Sequence, residues 1–277
     1  MSPRNPRKKR THRRSGRSFW RRLPIWGNAY ARWIGGLLLG GIYIYFFYTF
    51  VVHPFTLRWK GIYGEARYPA GYSIRGIDVS HHQGRIDWEK LRHAQMGSEP
   101  VSFVFIKATE GKTLKDRNFQ DNFYQARENG LIRGAYHYYV PSVPAREQAK
   151  HFISTVRLEE GDLPPVLDIE EVGDMSPEEI RREALIWLRT VRKHYGVKPL
   201  LYTYRKFKSD YLATPEFDEY PYWIAHYYVD SLQYEGSWKF WQHTDRGRLE
   251  GIKGYVDLNI YNGSMYDLRR LTIGAGK

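Results

Sequence analysis

Two kinds of hydrophobic pattern divide this chain. Residues 34–52 form an uninterrupted apolar run without a charge, and beyond about residue 72 short apolar runs alternate with segments of helical period. At 1.5 Å per residue the first run makes a helix of about 28 Å, close to the roughly 30 Å hydrocarbon core of a bilayer. It predicts one transmembrane helix. The later runs predict strands over residues 72–80, 101–109, 132–139, 163–171 and 199–203. Helices are expected between them: from Trp88 to about Met96 behind an Asp87 cap, over 118–129 up to Gly130, over 144–157, and from Ser176 to Gly196. The last opens with Ser176-Pro177-Glu178-Glu179, a capping box with proline in the first turn, and carries Ile180, Ala184, Trp187, Leu188, Val191 and Tyr195 on one stripe. A short helix is expected after the fifth strand. The pattern then changes to strands over 222–227, 238–243 and 254–260 with turn-like connections. Five strand-helix units followed by three strands predict an α/β fold, a modified (β/α) barrel of eight strands that is partly antiparallel near its closure.

Charge refines the organisation. The formal net charge is +13, yet residues 1–32 hold eleven Lys or Arg and no acid, leaving 32 basic against 30 acidic residues beyond. A nucleic-acid-binding surface on the folded part is thereby disfavoured. The expected layout is a basic cytoplasmic arm at 1–33, the membrane helix at 34–52, a linker at 53–71 containing Pro54, Gly61, Gly64, Pro69 and Gly71, and a barrel domain at 72–273. Trp26, Tyr30, Trp33 and Trp59 flank the helix as interfacial rings would, and the positive-inside rule keeps the arm in the cytoplasm of a single-pass inner-membrane protein and exports the rest. The apolar run is longer than a signal peptide's and no small-x-small cleavage site follows it. Gly36 and Gly40 form a G-x-x-x-G pair, a weak signal for helix dimerisation. With no cysteine, thiolate catalysis, disulfides and Cys-ligated zinc are excluded.

Candidate chemistry concentrates on Leu163 to Glu171, L-P-P-V-L-D-I-E-E. Alternation along a strand puts Asp168 and Glu170 on one face, with Cα atoms roughly 6.6 Å apart. Two carboxyls so close do not both ionise cheaply, which provides a protonated acid beside an ionised partner, the pair that glycosidic cleavage uses. Other strand ends supply Asp78, Glu110, Tyr136 to Tyr139 and Tyr227, and Asp257 lies mid-strand where it could face the same mouth. A ring of acids among Tyr and Trp suits a carbohydrate. His81, His82 and His243 lack metal-ligand spacing, so neither a metal nor a cofactor is expected.

The motifs G-I-D-V-S (76–80), F-I-K-A-T-E-G (105–111), G-A-Y-H-Y (134–138), L-D-I-E (167–170), W-I-A-H-Y (223–227), W-Q (241–242) and V-D-L-N (256–259) follow one another in an order that resembles glycoside hydrolase family 25, the N-acetylmuramidase type of lysozyme. The resemblance covers about residues 72–270. It implies a modified (β/α) barrel that cleaves the β-1,4 bond between N-acetylmuramic acid and N-acetylglucosamine in peptidoglycan. It also implies that Glu170 is the general acid, Asp168 its partner carboxylate, and Asp78 and Asp257 acids of the site floor. Tyr136, Tyr138, Trp223, Tyr227 and Trp241 are the expected substrate-binding rings. On this reading Glu170 carries the proton and Asp168 stays ionised, held by nearby hydroxyls or amides. The alternative is a catalytically silent peptidoglycan-binding module on the same tether.

Overall fold

The computed structural model describes residues 29–52, 68–232, 234 and 236–275. The expected basic arm and linker lie almost wholly outside them, as do Trp26 and Trp59. The chain forms two compact units, residues 1–59 and 60–277. In the first, helix α1 (Ala29–Phe47) runs on into a π-helical turn, Tyr48–Val52. Its segment from Trp33 to Phe50 is long and apolar enough to cross a membrane, and none of it is buried in protein. The helix begins ahead of residue 34 because an uncharged run marks where lipid would lie and not where helical hydrogen bonding starts.

The second unit is built on eight strands: β1 (Arg75–Val79), β2 (Glu99–Glu110), β3 (Ile132–Tyr138), β4 (Val166–Asp168), β5 (Leu200–Tyr204), β6 (Tyr222–Ala225), β7 (Phe240–Gly247) and β8 (Val256–Tyr261). Strands β1 to β7 pair in parallel with their neighbours in sequence. Strand β8 runs antiparallel to both β7 and β1, which closes the barrel as expected. The reversal has a functional consequence: the mouth, formed by the carboxyl ends of seven strands, receives the amino end of the eighth.

Alternation sorts each strand between two cores. Val166, Leu200, Trp223 and Phe240 point into the barrel with Phe103 and Phe105, whereas Leu167, Ile169, Leu201 and Ile224 join the outer layer beneath the helices. The interior is too narrow for a side chain on every strand. A Cβ at Gly76 would lie 2.5 Å from the Phe103 ring, and one at Gly134 would lie 2.6 Å from the Phe105 ring. These glycines, the first residues of G-I-D-V-S and G-A-Y-H-Y, therefore make room for the two phenylalanines.

Outside the barrel lie α2 (Trp88–His93), α3 (Phe119–Glu128), α4 (Ala145–Thr155), α5 (Pro177–Tyr195), α6 (Arg205–Tyr211), α7 (Pro215–Asp218) and, at the end, α8 (Met265–Leu271). The capping box at Ser176 and Glu179 is formed, and Gly196 ends α5 in the left-handed conformation. Helix α2 stops earlier than expected because Gln95 and Met96 turn back at Gly97 (φ 68°) to pair with Glu99 and Pro100. Helix α8 was not anticipated from the pattern. It is capped by Ser264 and Asp267, and its Leu268 is buried in the interior cluster. Leu163 before β4 and Tyr261 at the end of β8 belong to the same cluster, so α8 plugs the end of the barrel opposite the mouth.

Candidate active site

The backbone ladder carries the site. Asp168, the last residue of β4, is the register partner of Tyr138 on β3 and of Tyr202 on β5. Pairing continues one step further through the Ile169 amide, which donates to the Tyr202 carbonyl at 3.0 Å. Leu167 and Ile169 are consumed by the outer core, so Asp168 and then Glu170 are directed to the mouth. Asp168 is buried and Glu170 half-buried. Their carboxyls act directly on each other.

Burial raises both acids; Glu170 adds to the cost of ionising Asp168, whereas Asp168 eases the ionisation of Glu170. Asp168 is raised further. It is the more deeply placed, and its Oδ1 is buried without a hydrogen-bond partner. The hydroxyls or amides expected to hold Asp168 as an anion do not reach that oxygen. An Asp168 anion in the unliganded molecule thus lacks, at that oxygen, the donors that the sequence reading expected. Lys107 offsets the acids from one side. Its ammonium sits 2.7 Å from Glu110 Oε2 and 4.7 Å over the Tyr138 ring, and it lowers both carboxyls. Tyr138 also donates to Glu171 at 3.3 Å.

A second pair of acids lies across the mouth. Asp78 near the end of β1 and Asp257 near the start of β8 are direct register partners. Asp78 Oδ2 accepts from Gln242 Nε2 and from Asn259 Nδ2, both at 2.7 Å. Gln242 Oε1 in turn accepts from the hydroxyls of Tyr202 at 2.7 Å and Tyr227 at 2.6 Å, while Asn259 Oδ1 accepts from Trp223 Nε1 at 2.7 Å. Burial pushes Asp78 up to about 7 against the pull of its two amides, and pushes Asp257 up to about 9 with the added repulsion of Asp78, Asp245 and Glu170. Tyr136, half-buried on β3, is raised by burial and by the acids it faces, Asp78, Asp168 and Asp257 among them.

The structure thus brings Asp78, Asp168, Glu170, Asp257, Tyr136, Tyr138 and Tyr227 to one mouth, and it removes two of the expected substrate-binding rings. Trp241 is fully buried on the outer face of β7, where its Nε1 donates to the His226 carbonyl at 2.8 Å and its ring packs near Tyr72, Trp238 and His243. Period-2 alternation is the reason: of the W-Q motif only Gln242 faces inward. Trp223 does face inward but one layer too deep, stacked on Phe105 at 4.3 Å and 2% exposed. Sequence reasoning missed Gln242, Asn259, Tyr202 and Lys107. Gln242, Asn259 and Lys107 stood inside the motifs, and Asn259 shares a strand face with Asp257, two residues away.

Of the three histidines set aside as ligands, His81 pairs with Asp116 through Nδ1 at 2.9 Å, and His243 is buried on the outer face of β7, where burial holds it down to about 3.

The sequence pattern of glycosyl hydrolases family 25 matches residues 77–252. This chain belongs to that family. As a family 25 protein it is a glycoside hydrolase. Lysozyme M1 of Streptomyces globisporus is 34% identical to it over 208 residues, 69% of this chain and 68% of that protein. YegX, an uncharacterized protein of Escherichia coli K12, is 47% identical over 209 residues, 75% of this chain and 76% of its own length. Among solved structures, the bacterial lysozyme from Streptomyces coelicolor superposes with a TM-score of 0.68 at 31% identity, over 74% of this chain and 99% of that one. The family match ends at residue 252 and so stops short of β8, the strand that contributes Asp257 and Asn259.

Proposed function

We propose that this family 25 glycoside hydrolase is a membrane-anchored peptidoglycan hydrolase that cleaves the β-1,4 bond between N-acetylmuramic acid and N-acetylglucosamine. The observation that carries the reading is the Asp168–Glu170 pair of neighbouring carboxyls at the carboxyl end of β4, set among tyrosines at the barrel mouth. The lysozymes among its relatives support this choice of substrate. Glu170, nearer solvent, is the acid that protonates the leaving oxygen. Asp168 is its partner. For that division of labour Asp168 must be the ionised member when substrate is bound, which an N–H donor on the sugar would favour by stabilising the Asp168 anion.

Asp168 and Glu170 follow one another on one face of a single strand end, and we favour the route in which the substrate's own N-acetyl group attacks the anomeric carbon while Asp168 orients and charges it. Tyr136, Tyr138 and Tyr227 are the rings left at the mouth to meet a sugar.

Helix α1 serves as an uncleaved anchor in the inner membrane, with the basic arm in the cytoplasm and the barrel exported. Its span without a charge and the eleven basic residues ahead of it support this topology. The full-length protein in detergent should clear a turbid suspension of purified cell walls. Walls left intact by folded protein would exclude the hydrolytic reading and leave a binding role.

A further inference from the structure

Both floor acids are described above, yet which of them carries charge decides what the floor can do, and a neighbour outside the pair determines that. The indole N–H of Trp223 is a donor only and cannot accept. The Asn259 atom 2.7 Å from it is therefore the carbonyl oxygen Oδ1, and the Asn259 amide nitrogen must face the other way, to Asp78 Oδ2 at 2.7 Å. Trp223 is itself immobile, stacked on Phe105 at 4.3 Å and against Tyr202 at 4.4 Å, and Asn259 is wholly buried. Asp78 Oδ2 thus receives a donor whose direction it does not choose, and Gln242 Nε2 supplies a second. An oxygen that accepts two amide donors favours the ionised carboxylate.

We propose that Trp223, Asn259 and Gln242 are positioning residues that fix Asp78 as the ionised member of the Asp78–Asp257 pair, so that the shared proton resides on Asp257 and the floor offers substrate one acceptor and one O–H donor. The groups facing the pair reinforce this order. Glu170 from the β4 end repels charge on either acid, but Asp245, held by Tyr228 on the rim of β7, adds repulsion at Asp257. Asp168 and Asp116 also act on Tyr136, which faces Asp78 and Asp257 from β3, and the hydroxyls of Tyr202 and Tyr227 complete the circle through Gln242. The arrangement also explains why a tryptophan that no sugar can reach occupies the interior of W-I-A-H-Y.

The protonation assignment stands on the geometry alone, and only its effect on turnover rests on the mouth being the hydrolytic site. Carbon-13 NMR of full-length protein labelled at aspartate carboxyls, assigned with Asp78→Asn and Asp257→Asn, reads both acids directly. At pH 8 the Asp257 signal should be that of a neutral acid and the Asp78 signal that of an anion. Asn259→Leu should raise the Asp78 midpoint by at least one pH unit and lower that of Asp257. Trp223→Phe, which removes only the N–H, should move both the same way by less, and covers the case in which Asn259→Leu does not fold. In turnover of cell walls, Asp257→Asn should recover at least tenfold over Asp257→Ala, because the amide keeps a donor. Asp78→Asn should show no such recovery over Asp78→Ala. An ionised Asp257 at pH 6 in the wild type, or an Asp78 midpoint unmoved in both floor variants, would overturn the proposal. Protein inactive on walls but with the predicted spectra would refute the substrate reading and leave this assignment standing.

Discussion

Asp78 and Asp257 face each other across the one antiparallel strand pair that closes onto β1, a position where like charges destabilise a sheet. The folded protein keeps a proton there that the unfolded chain gives up near pH 4, since burial raises Asp78 to about 7 and Asp257 to about 9. With more protons bound in the folded state, stability falls as pH rises from about 4 through those values. Asp257→Asn should therefore leave the melting temperature nearly unchanged at pH 4 and raise it progressively towards pH 9. Thermal unfolding across that range checks this, and an equal shift at every pH would contradict it.

At the acid end the sign reverses. His137 is buried between Thr109 Oγ1 at 2.7 Å and Gln148 Oε1 at 3.0 Å and stacks on Trp187, and burial depresses it to about 3. A depressed histidine leaves stability intact above its unfolded value near 6.5 and removes it as pH falls towards 3. His137→Gln should flatten the loss of stability between pH 6 and 4, measured by denaturant unfolding, even though it lowers stability at pH 7. A parallel loss in wild type and variant would show that His137 is not the titrating group.

Glu170→Gln preserves shape and removes the transferable proton. Turnover should drop by about 10²- to 10⁴-fold while wall binding persists. Retention of more than about a tenth of the activity would exclude Glu170 as the acid.

The coupling of Asp168 with Glu170 predicts a shifted pH-rate profile. On the proposed route Asp168 is an anion once substrate is bound and raises Glu170 there, so in Asp168→Asn the alkaline limb of kcat should move to lower pH and the maximal rate should fall. An unmoved limb in the variant's pH-rate profile would mean that the pair does not share its proton during turnover.

Trp241 and Trp223 offer a contrast. Trp241→Phe should lower the melting temperature without changing KM for wall fragments, because the ring lies on the outer face of β7. A several-fold rise in KM would place that ring against substrate after all.

The barrel was legible because its signals are local. The Ser176 cap, the Gly196 stop and the alternation through Leu167, Asp168, Ile169 and Glu170 depend on neighbours a few residues away, and each is present in the structure. The aromatic lining was misread for the opposite reason. Which of Trp241 and Gln242 faces inward depends on register with β6 and β8, and the depth of Trp223 depends on Phe105 more than a hundred residues earlier. The unpartnered Oδ1 of Asp168 was likewise hidden, since it is a property of the assembled mouth. Helix α8 left a readable mark, Ser264 followed by Asp267 three residues later, but its role as a plug becomes visible only with the barrel around it.

The most direct measurement is mass spectrometry of the glycan fragments that the full-length protein releases from purified peptidoglycan, with Glu170→Gln as the control. Fragments should carry N-acetylmuramic acid at their reducing ends and disappear in the control. N-acetylglucosamine reducing ends, or release unchanged by Glu170→Gln, would contradict cleavage of the proposed bond by the Asp168–Glu170 pair.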